Sequence, residues 1–275
     1  MNDRTLHKLA RALAAASLAL ALAAPAYAEP VLLNNGNASV TIDPSNTSGI
    51  LNFLVDGVNQ IKEGAFFVRT NDDSRETSLA SFFVGADIVS ADETVVHYLL
   101  PGLLSIDIAH QLQGGAAGSG NAVLNSQILL RALAPVALNF FSYTDFDLAG
   151  TADDALASAD SSFSLDQQDG AVSGTQRRFA FASAFAIDSF SSLRDSLLDD
   201  ALTNFSNSGS PSGPGDLAFA SQVTGDFVEG GSAFSFLEQR IVETQAVPEP
   251  GSLVLAGLGL LGVGAIGRRR RGGRQ

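Results

Sequence analysis

Two acidic residues in the middle of the chain, Asp145 and Asp147, have the type and spacing to bind a divalent cation. They lie two positions apart in an alternating segment, so we expect both on one face of a strand, with Asp153-Asp154 following in a loop. Carboxylate oxygens are the ligands that Ca²⁺ prefers. The segment is not an EF-hand, because Ala149 occupies a ligand position and Leu156 stands where the bidentate glutamate belongs. Two interpretations stay open: a calcium site at Asp145 and Asp147, or a solvated strand end with no cofactor.

A second constellation is the pair His97 and His110, on neighbouring predicted strands that can form a hairpin around Pro101-Gly102. A cross-strand metal site would need a third ligand, which the sequence does not identify. Two solvated or hydrogen-bonded side chains are the simpler interpretation.

Polysaccharide hydrolysis is the least favoured chemistry. A glycosidase needs two carboxylates on opposite sides of a sugar cleft, and among 29 acidic residues some pair meets that requirement by chance. Sugar clefts also favour aromatic platforms, whereas the chain has no Trp and three Tyr. No G-x-S-x-G segment anchors a serine hydrolase. We therefore expect a protein that is not an enzyme, with a carbohydrate- or calcium-binding adhesin module as the alternative.

The elements that position these residues are mostly strands. Large apolar residues occupy every second position from Leu104 to Leu112, which is the period of a half-buried strand. Similar alternation marks Ser39–Ile42, Ala65–Arg69, Val95–Leu100, Val123–Leu133, Val136–Phe146 and Arg177–Ile187, the last with Phe179, Phe181 and Phe185 on one face. Many strands separated by turn signals predict an antiparallel β-sandwich whose core holds most of the 18 Phe.

One segment has helical instead of strand periodicity. Apolar residues recur at helical spacing, and Ser192 with Asp195 resembles a capping box, so we predict one amphipathic helix over Ser192–Phe205, packed against a sheet. Two closing strands are predicted after it, over Asp216–Thr224 and Ser232–Val242.

The N-terminus has the three parts of a secretory signal peptide. Basic residues at 4, 8 and 11 precede an apolar stretch over Leu13–Ala24, too short to span a bilayer comfortably. Ala26-Tyr27-Ala28 then supplies the small residues of a cleavage site, which predicts a mature start at Glu29. Secretion machinery and a signal peptidase are therefore expected partners. The absence of Cys excludes thiol chemistry and disulfides.

The C-terminal segment contains a Pro-Glu-Pro motif, an apolar run and an arginine cluster. A helix over Ser252–Gly267 would be about 24 Å long against a hydrocarbon core of about 30 Å, a marginal transmembrane span. The basic cluster that follows would stop transfer and stay in the cytoplasm: Arg268, Arg269, Arg270 and Arg271. The run also contains a G-x-G-x-x-G match, but it lacks the strand and helix that a dinucleotide site needs.

The order Val247-Pro248-Glu249-Pro250, apolar run and arginine cluster closely resembles the PEP-CTERM sorting signal of Gram-negative bacteria. The resemblance implies recognition of Pro248, Glu249 and Pro250 by exosortase, a membrane-embedded protease and transpeptidase. It also implies that the membrane holds the segment during processing, and that the mature protein reaches the cell surface or the extracellular polysaccharide. The prolines keep the motif extended and out of the following helix, so that a protease can bind it.

The middle of the chain is similar to a recurrent domain of PEP-CTERM proteins, in "VDGVNQ", "YTDFDLAGT" and "GPGDLAFA". That similarity implies a large β-sandwich, supersandwich-like in arrangement, with no activity attached.

Together these observations divide the chain into a signal peptide at 1–28, one extracellular sandwich domain at 29–246 and a sorting signal at 247–275. The net charge of -13, with basic residues concentrated at both ends, disfavours nucleic acid as a partner. We expect an exported protein of the surface, biofilm or exopolysaccharide matrix, with exosortase and exopolysaccharide as partners.

Overall fold

A computed structural model describes residues 29–70, 73–152, 156–161, 164–179, 183–209 and 213–244. The predicted signal cleavage site at Ala26 and Ala28, the Pro-Glu-Pro motif, the run at 252–267 and the arginine cluster lie outside these residues, as does Asp153-Asp154. Within the described ranges, no helix is both long enough and apolar enough to cross a membrane.

Seventeen strands and one α-helix make up most of the described chain. In chain order the strands are β1 Val31–Asn35, β2 Ala38–Ile42, β3 Ile50–Val55, β4 Val58–Asn59, β5 Glu63–Thr70, β6 Thr77–Ser78, β7 Phe83–Ile88, β8 Glu93–Leu100, β9 Leu104–Gly114, β10 Ala122–Ala132, β11 Val136–Asp145, β12 Leu156–Ser161, β13 Ser164–Asp169, β14 Val172–Phe179, β15 Ser183–Ser189, β16 Leu217–Phe227 and β17 Ala233–Thr244. The helix is α1, Phe190–Leu198, and two single 3₁₀ turns lie at Leu79–Phe82 and Leu148–Gly150.

The strands form two antiparallel sheets, as the alternating sequence predicts. The first sheet has the order β1-β2-β3-β5-β11-β16-β15, with β4 paired to β3 and β6 to β5. The second has the order β12-β13-β14-β17-β10-β9-β8-β7. Strand β9 shows the alternation directly: Leu104, Ile106, Ile108, His110 and Leu112 are buried, while the residues that alternate with them are partly or fully exposed. The narrower supersandwich-like arrangement stays a prediction.

The interior between the sheets contains both apolar and charged side chains. Two apolar clusters fill most of it, one around Phe53 and Phe219 and one around Ile106 and Phe140. Strand β17 also contributes a buried polar group: Glu238 and Arg240 are fully buried, and Arg178 from β14 is 3% exposed. Burying charges stabilises a fold only when they are paired, and here the carboxylate of Glu238 contacts both guanidinium groups.

Helix α1 covers the outer face of the first sheet, and it is shorter than the sequence predicts. Its N-cap is Ser189, whose hydroxyl accepts a bond from Ser192 N, and it ends at Leu198. The predicted extent of Ser192–Phe205 is therefore wrong at both ends. The backbone at 203 and 205 is hydrogen-bonded to distant side chains instead, since Thr203 N donates to Glu76, directly before β6, and Phe205 N donates to Gln222 of β16.

The predicted single strand over Arg177–Ile187 is also wrong. The chain leaves the second sheet at the end of β14 and enters the first sheet as β15, so two strands of different sheets share this segment. Phe179 is consequently 58% exposed, whereas Phe185 is 7% exposed in the core, and Phe181 lies outside the described residues.

Candidate functional site

Three carboxylates meet at the end of the first sheet, beside the N-terminus of α1. Asp145 is the last residue of β11, Asp147 precedes the 3₁₀ turn at Leu148–Gly150, and Asp216 precedes β16. Because Asp145 pairs with Ala218, continuing the antiparallel register brings Asp147 opposite Asp216. One carboxylate oxygen from each of the three lies within 4.8 Å of the others.

Asp145 is unusual because it is buried without a hydrogen-bond partner. Its side chain is fully buried, and neither of its carboxylate oxygens accepts a hydrogen bond from the described residues. One oxygen of Asp147 and one of Asp216 are also buried without a partner there. Burial raises the pKa of Asp145 to about 9, and the charges of Asp147 and Asp216 add to this increase. Partial burial likewise raises the pKa of Asp147.

Lys62 is the cation nearest these carboxylates. Its Nζ lies 4.0 Å from Oδ2 of Asp145 and 3.8 Å from Oδ2 of Asp216, so it is an ionic neighbour of both but a hydrogen-bond donor to neither. The same ammonium lies 3.6 Å above the centre of the Phe190 ring, a cation–π contact. The Lys62 side chain is 39% exposed, which leaves it free to turn into solvent.

Glu63 lies opposite Asp145 in the sheet, but both of its carboxylate oxygens already have partners. Its carboxylate accepts a hydrogen bond of 2.7 Å from the Ser48 hydroxyl and forms an ion pair with Arg194 of α1. It therefore ties the helix to β5 and adds negative charge near Asp145, without offering a free ligand atom.

The backbone around Asp147 is held by packing and by one side chain. Phe146 and Leu148 are fully buried on either side of it. A Cβ on Gly174 of β14 would lie 3.0 Å from both of those side chains, so the close packing there requires glycine. Ala149 has a φ of 57°, and its N–H donates to Gln60 Oε1 at 2.9 Å. These contacts hold the backbone that carries Asp147.

This arrangement has the donor set of a hard-cation site. All three candidate ligands are carboxylate oxygens, which suit Ca²⁺, Mg²⁺ or Mn²⁺ and do not suit metals that prefer nitrogen or sulfur. Asp147 and Asp216 are half-buried, so water can reach the outer side of the group.

The sequence identified two of the three carboxylates. The structure places Asp145 and Asp147 together, although Asp147 lies beyond the strand and not on its face as predicted. Asp216 was missed, because only the pairing of β11 with β16 brings it near Asp147. An acidic residue at the first position of a predicted strand was the one available signal.

The histidines do not form a metal site. They lie on the predicted hairpin of β8 and β9, but on opposite faces of the sheet. His110 is buried and bonded to the Ser126 hydroxyl at 2.9 Å, whereas His97 is partly exposed and bonded to Asp107 at 2.7 Å, which raises its pKa. The simpler interpretation of hydrogen-bonded side chains is confirmed.

Similarity to known proteins bears on the C-terminal segment and on the fold. Residues 246–271 match the model of the PEP-CTERM protein-sorting motif. The chain carries a PEP-CTERM sorting signal. The match confirms the resemblance seen in the sequence, and it supports export, membrane-associated sorting in a Gram-negative bacterium and processing by exosortase. No curated protein matches the sequence of this PEP-CTERM chain significantly.

Comparison with solved structures bears on the fold of this PEP-CTERM chain. A bacterial glucoamylase complexed with acarbose superimposes with a TM-score of 0.52 at 9% identity, over 77% of this chain and 31% of the glucoamylase. The chain thus spans about a third of that protein's length, and the likeness is one of fold. An aldose epimerase homologue from C. elegans has a TM-score of 0.49 at 9% identity over 79% and 99% of the two chains. A putative aldose 1-epimerase from Escherichia coli K12 has a TM-score of 0.46 at 9% identity, over 78% of this chain and 99% of the epimerase.

Proposed function

We propose that this chain is a non-enzymatic protein of the cell surface or the extracellular matrix, delivered by exosortase cleavage at its Pro-Glu-Pro motif. The observation that carries the proposal is the sorting-motif match at residues 246–271. In this account Pro248, Glu249 and Pro250 are the recognition residues. The run at 252–267 holds the substrate in the bilayer, and the arginine cluster at 268–271 keeps its end in the cytoplasm.

The geometry of the sandwich supports delivery by a protease close to the membrane. Strand β17 is an inner strand of the second sheet, paired with β14 and β10, and it ends at Thr244. Three residues separate Thr244 from Pro248, so the motif lies at most about 14 Å from the end of the sheet along an extended chain. The folded domain therefore has to be held near the bilayer surface while the motif is cut.

The carboxylate geometry at this site does not fit glycoside hydrolysis. Retaining glycosidases hold two carboxyl groups about 5–5.5 Å apart and inverting ones about 6.5–9.5 Å apart, in both cases on either side of an open sugar site. Asp145, Asp147 and Asp216 instead converge within 4.8 Å, and Asp145 has no exposed surface. Such a group is arranged to share one ligand and not to flank a glycosidic bond.

The composition is compatible with an extracellular location in the matrix. The domain has no Cys to oxidise, and its acidic surface repels both other copies and the nucleic acid of lysed cells. A neutral or cationic exopolysaccharide is the partner we propose for the mature domain.

The test is processing in a Gram-negative host with and without an exosortase gene. We expect the full chain to lose its C-terminal segment and leave the membrane only when exosortase is present. Glu249→Ala should leave the precursor in the membrane. The matched control is Glu243→Ala, which removes an exposed carboxylate from the end of β17 and should be processed like the wild type. Equal processing of both variants would overturn the proposal.

A further inference from the structure

We propose that Asp145, Asp147 and Asp216 bind one calcium ion, and that this ion displaces the ammonium group of Lys62 from the site. This inference is independent of how the protein is sorted, because all four residues lie in the folded domain.

The first argument is the unpaired carboxylate of Asp145. A buried polar group without a hydrogen-bond partner destabilises a fold, and buried carboxylates are normally bonded or bound to metal. Both oxygens of Asp145 are buried and unpartnered, one oxygen of Asp147 and one of Asp216 are unpartnered as well, and the three carboxylates approach within 4.8 Å. A single ion among the three carboxylates would supply the partner that Asp145 lacks.

The second argument is the local charge. Four carboxylates lie together here, on Asp145, Asp147, Asp216 and Glu63, and two cations face them, Lys62 and Arg194. When all are ionised, the group has an excess of two negative charges, which one divalent cation would neutralise. Glu63 and Arg194 already pair with each other, so the unbalanced part is the three-aspartate group and Lys62.

The third argument is size. Calcium binds oxygens at about 2.3–2.6 Å, so two ligands on opposite sides of the ion are up to about 5.2 Å apart, whereas for magnesium the limit is about 4.2 Å. The three candidate oxygens lie within 4.8 Å of one another, inside the calcium limit, so small side-chain rotations of the half-buried Asp147 and Asp216 would bring them into coordination. Calcium takes six to eight oxygens, and the half-exposed sides of Asp147 and Asp216 leave room for water to complete the set.

Lys62 explains how the site can persist without the ion. Its ammonium sits near two of the three carboxylates and offsets part of their charge, but at 3.8 Å and 4.0 Å it does not take their hydrogen-bonding capacity. A bound calcium would repel the ammonium at this range, and the partly exposed Lys62 side chain can move into solvent. Binding therefore has to overcome the contact of Lys62 with Phe190 as well.

The experiment is calcium titration of the full chain, purified in detergent from a host without exosortase, by calorimetry and by thermal unfolding. We expect one site with a Kd of about 10⁻⁴ to 10⁻³ M, in the range of extracellular calcium modules. Asp216→Asn removes a half-exposed ligand and should weaken binding at least about tenfold, since affinity follows the charge of the ligands. Lys62→Met should bind calcium several-fold more tightly, because it removes the nearest positive charge, which repels the ion.

The matched control is Asp226→Asn, which removes an exposed carboxylate from the same strand, β16, far from the site. It should bind calcium like the wild type. Because the chain is strongly acidic, calcium could also stabilise it diffusely. Two outcomes would overturn the site. One is equal stabilisation by calcium in the Asp216→Asn and Asp226→Asn variants. The other is no binding of calcium to the wild type at 10 mM, about tenfold above the weakest expected Kd. Unchanged affinity in Lys62→Met would overturn the displacement.

Discussion

The ammonium of Lys62 lies 4.0 Å from the fully buried carboxylate of Asp145 and donates no hydrogen bond to it. Asp145 thus has an ionic neighbour but no partner for its lone pairs. Its pKa of about 9 means that, without a bound cation, the native state holds a proton on this residue at neutral pH. The same group can become an anion when a calcium ion replaces the proton.

The first prediction concerns stability and pH in the presence of a calcium chelator. The pKa of Asp145 is about 9 in the folded chain and 3.8 as the reference for an unfolded one. Between these values the native state binds a proton that the unfolded state has lost, so the free energy of unfolding decreases as pH rises. Asp145→Asn removes this contribution. As pH rises across that window, we expect the free energy of unfolding of the variant to increase relative to that of the wild type by up to about 1.4 kcal/mol per pH unit.

Chemical denaturation at several pH values measures that difference. Asp226→Asn is the control, and its free energy of unfolding relative to the wild type should not change with pH. A constant difference between Asp145→Asn and the wild type from pH 5 to pH 8, inside the window of about 4 to 9 in which the proton matters, would show that Asp145 is ionised in the native state.

The second prediction concerns His110. Burial lowers the pKa of His110 to about 3, helped by the nearby charge of Arg240 and opposed by Glu238. The unfolded chain takes up a proton on this residue below about pH 6.5, whereas the native chain does not, so the domain loses stability as pH falls through that window. His110→Gln should remove up to about 1.4 kcal/mol per pH unit of this acid sensitivity between about pH 6.5 and 4. Parallel stability curves for the two proteins would contradict the assignment.

The third prediction concerns the ionic group inside the sandwich. Burial alone would raise the pKa of Glu238, but Arg240 and Arg178 outweigh that effect and hold the pKa below its usual value. Its carboxylate also accepts a 2.6 Å hydrogen bond from the Ser142 hydroxyl. Glu238→Gln leaves two buried guanidinium groups without their counter-ion and should lower the free energy of unfolding by about 3–5 kcal/mol.

The control for Glu238→Gln is Glu243→Gln, an exposed residue of the same strand, for which we expect a change within about 0.5 kcal/mol. Urea unfolding at pH 7 measures both. A loss of less than about 1 kcal/mol in Glu238→Gln would mean that the arginines find other partners.

Sequence patterning predicted the sandwich but not how its strands pair. Alternation of side chains is a local property, so the buried face of β9 was visible in the sequence before any partner was known. Strand order depends on contacts between distant segments. The pairing of β11 with β16, which brings Asp216 to Asp147, joins residues about seventy positions apart and has no local signature.

The same reasoning explains where the predictions failed. Leu202 and Phe205 continue the helical period of α1, but the backbone near them is bonded to the side chains of Glu76 and Gln222, and tertiary hydrogen bonds override a weak local preference. The interpretation of Arg177–Ile187 as one strand failed because alternation continues across a crossover between sheets. Asp145 and Asp147 were predictable as candidates; the burial that leaves Asp145 unpartnered was not.

The fourth prediction concerns the short link between the domain and its sorting motif. The end of β17 at Thr244 is followed by Gln245, Ala246 and Val247 before Pro248. Deleting these three residues would bring the sheet against the protease and should slow processing in an exosortase-containing host. Replacing them with Gly-Ser-Gly keeps the length and should leave processing unchanged. Pulse-chase analysis of precursor and product measures the rate, and equal rates for the two variants would mean that the domain does not limit access.

The most direct test of the account is mass spectrometry of the mature protein from its native host, which defines both of its ends. The account predicts an N-terminus at Glu29 and a C-terminus at or near the Pro248–Pro250 motif, with Arg268–Arg271 removed. A secreted molecule that still has its arginine cluster, and that is not associated with membrane, would contradict the central claim.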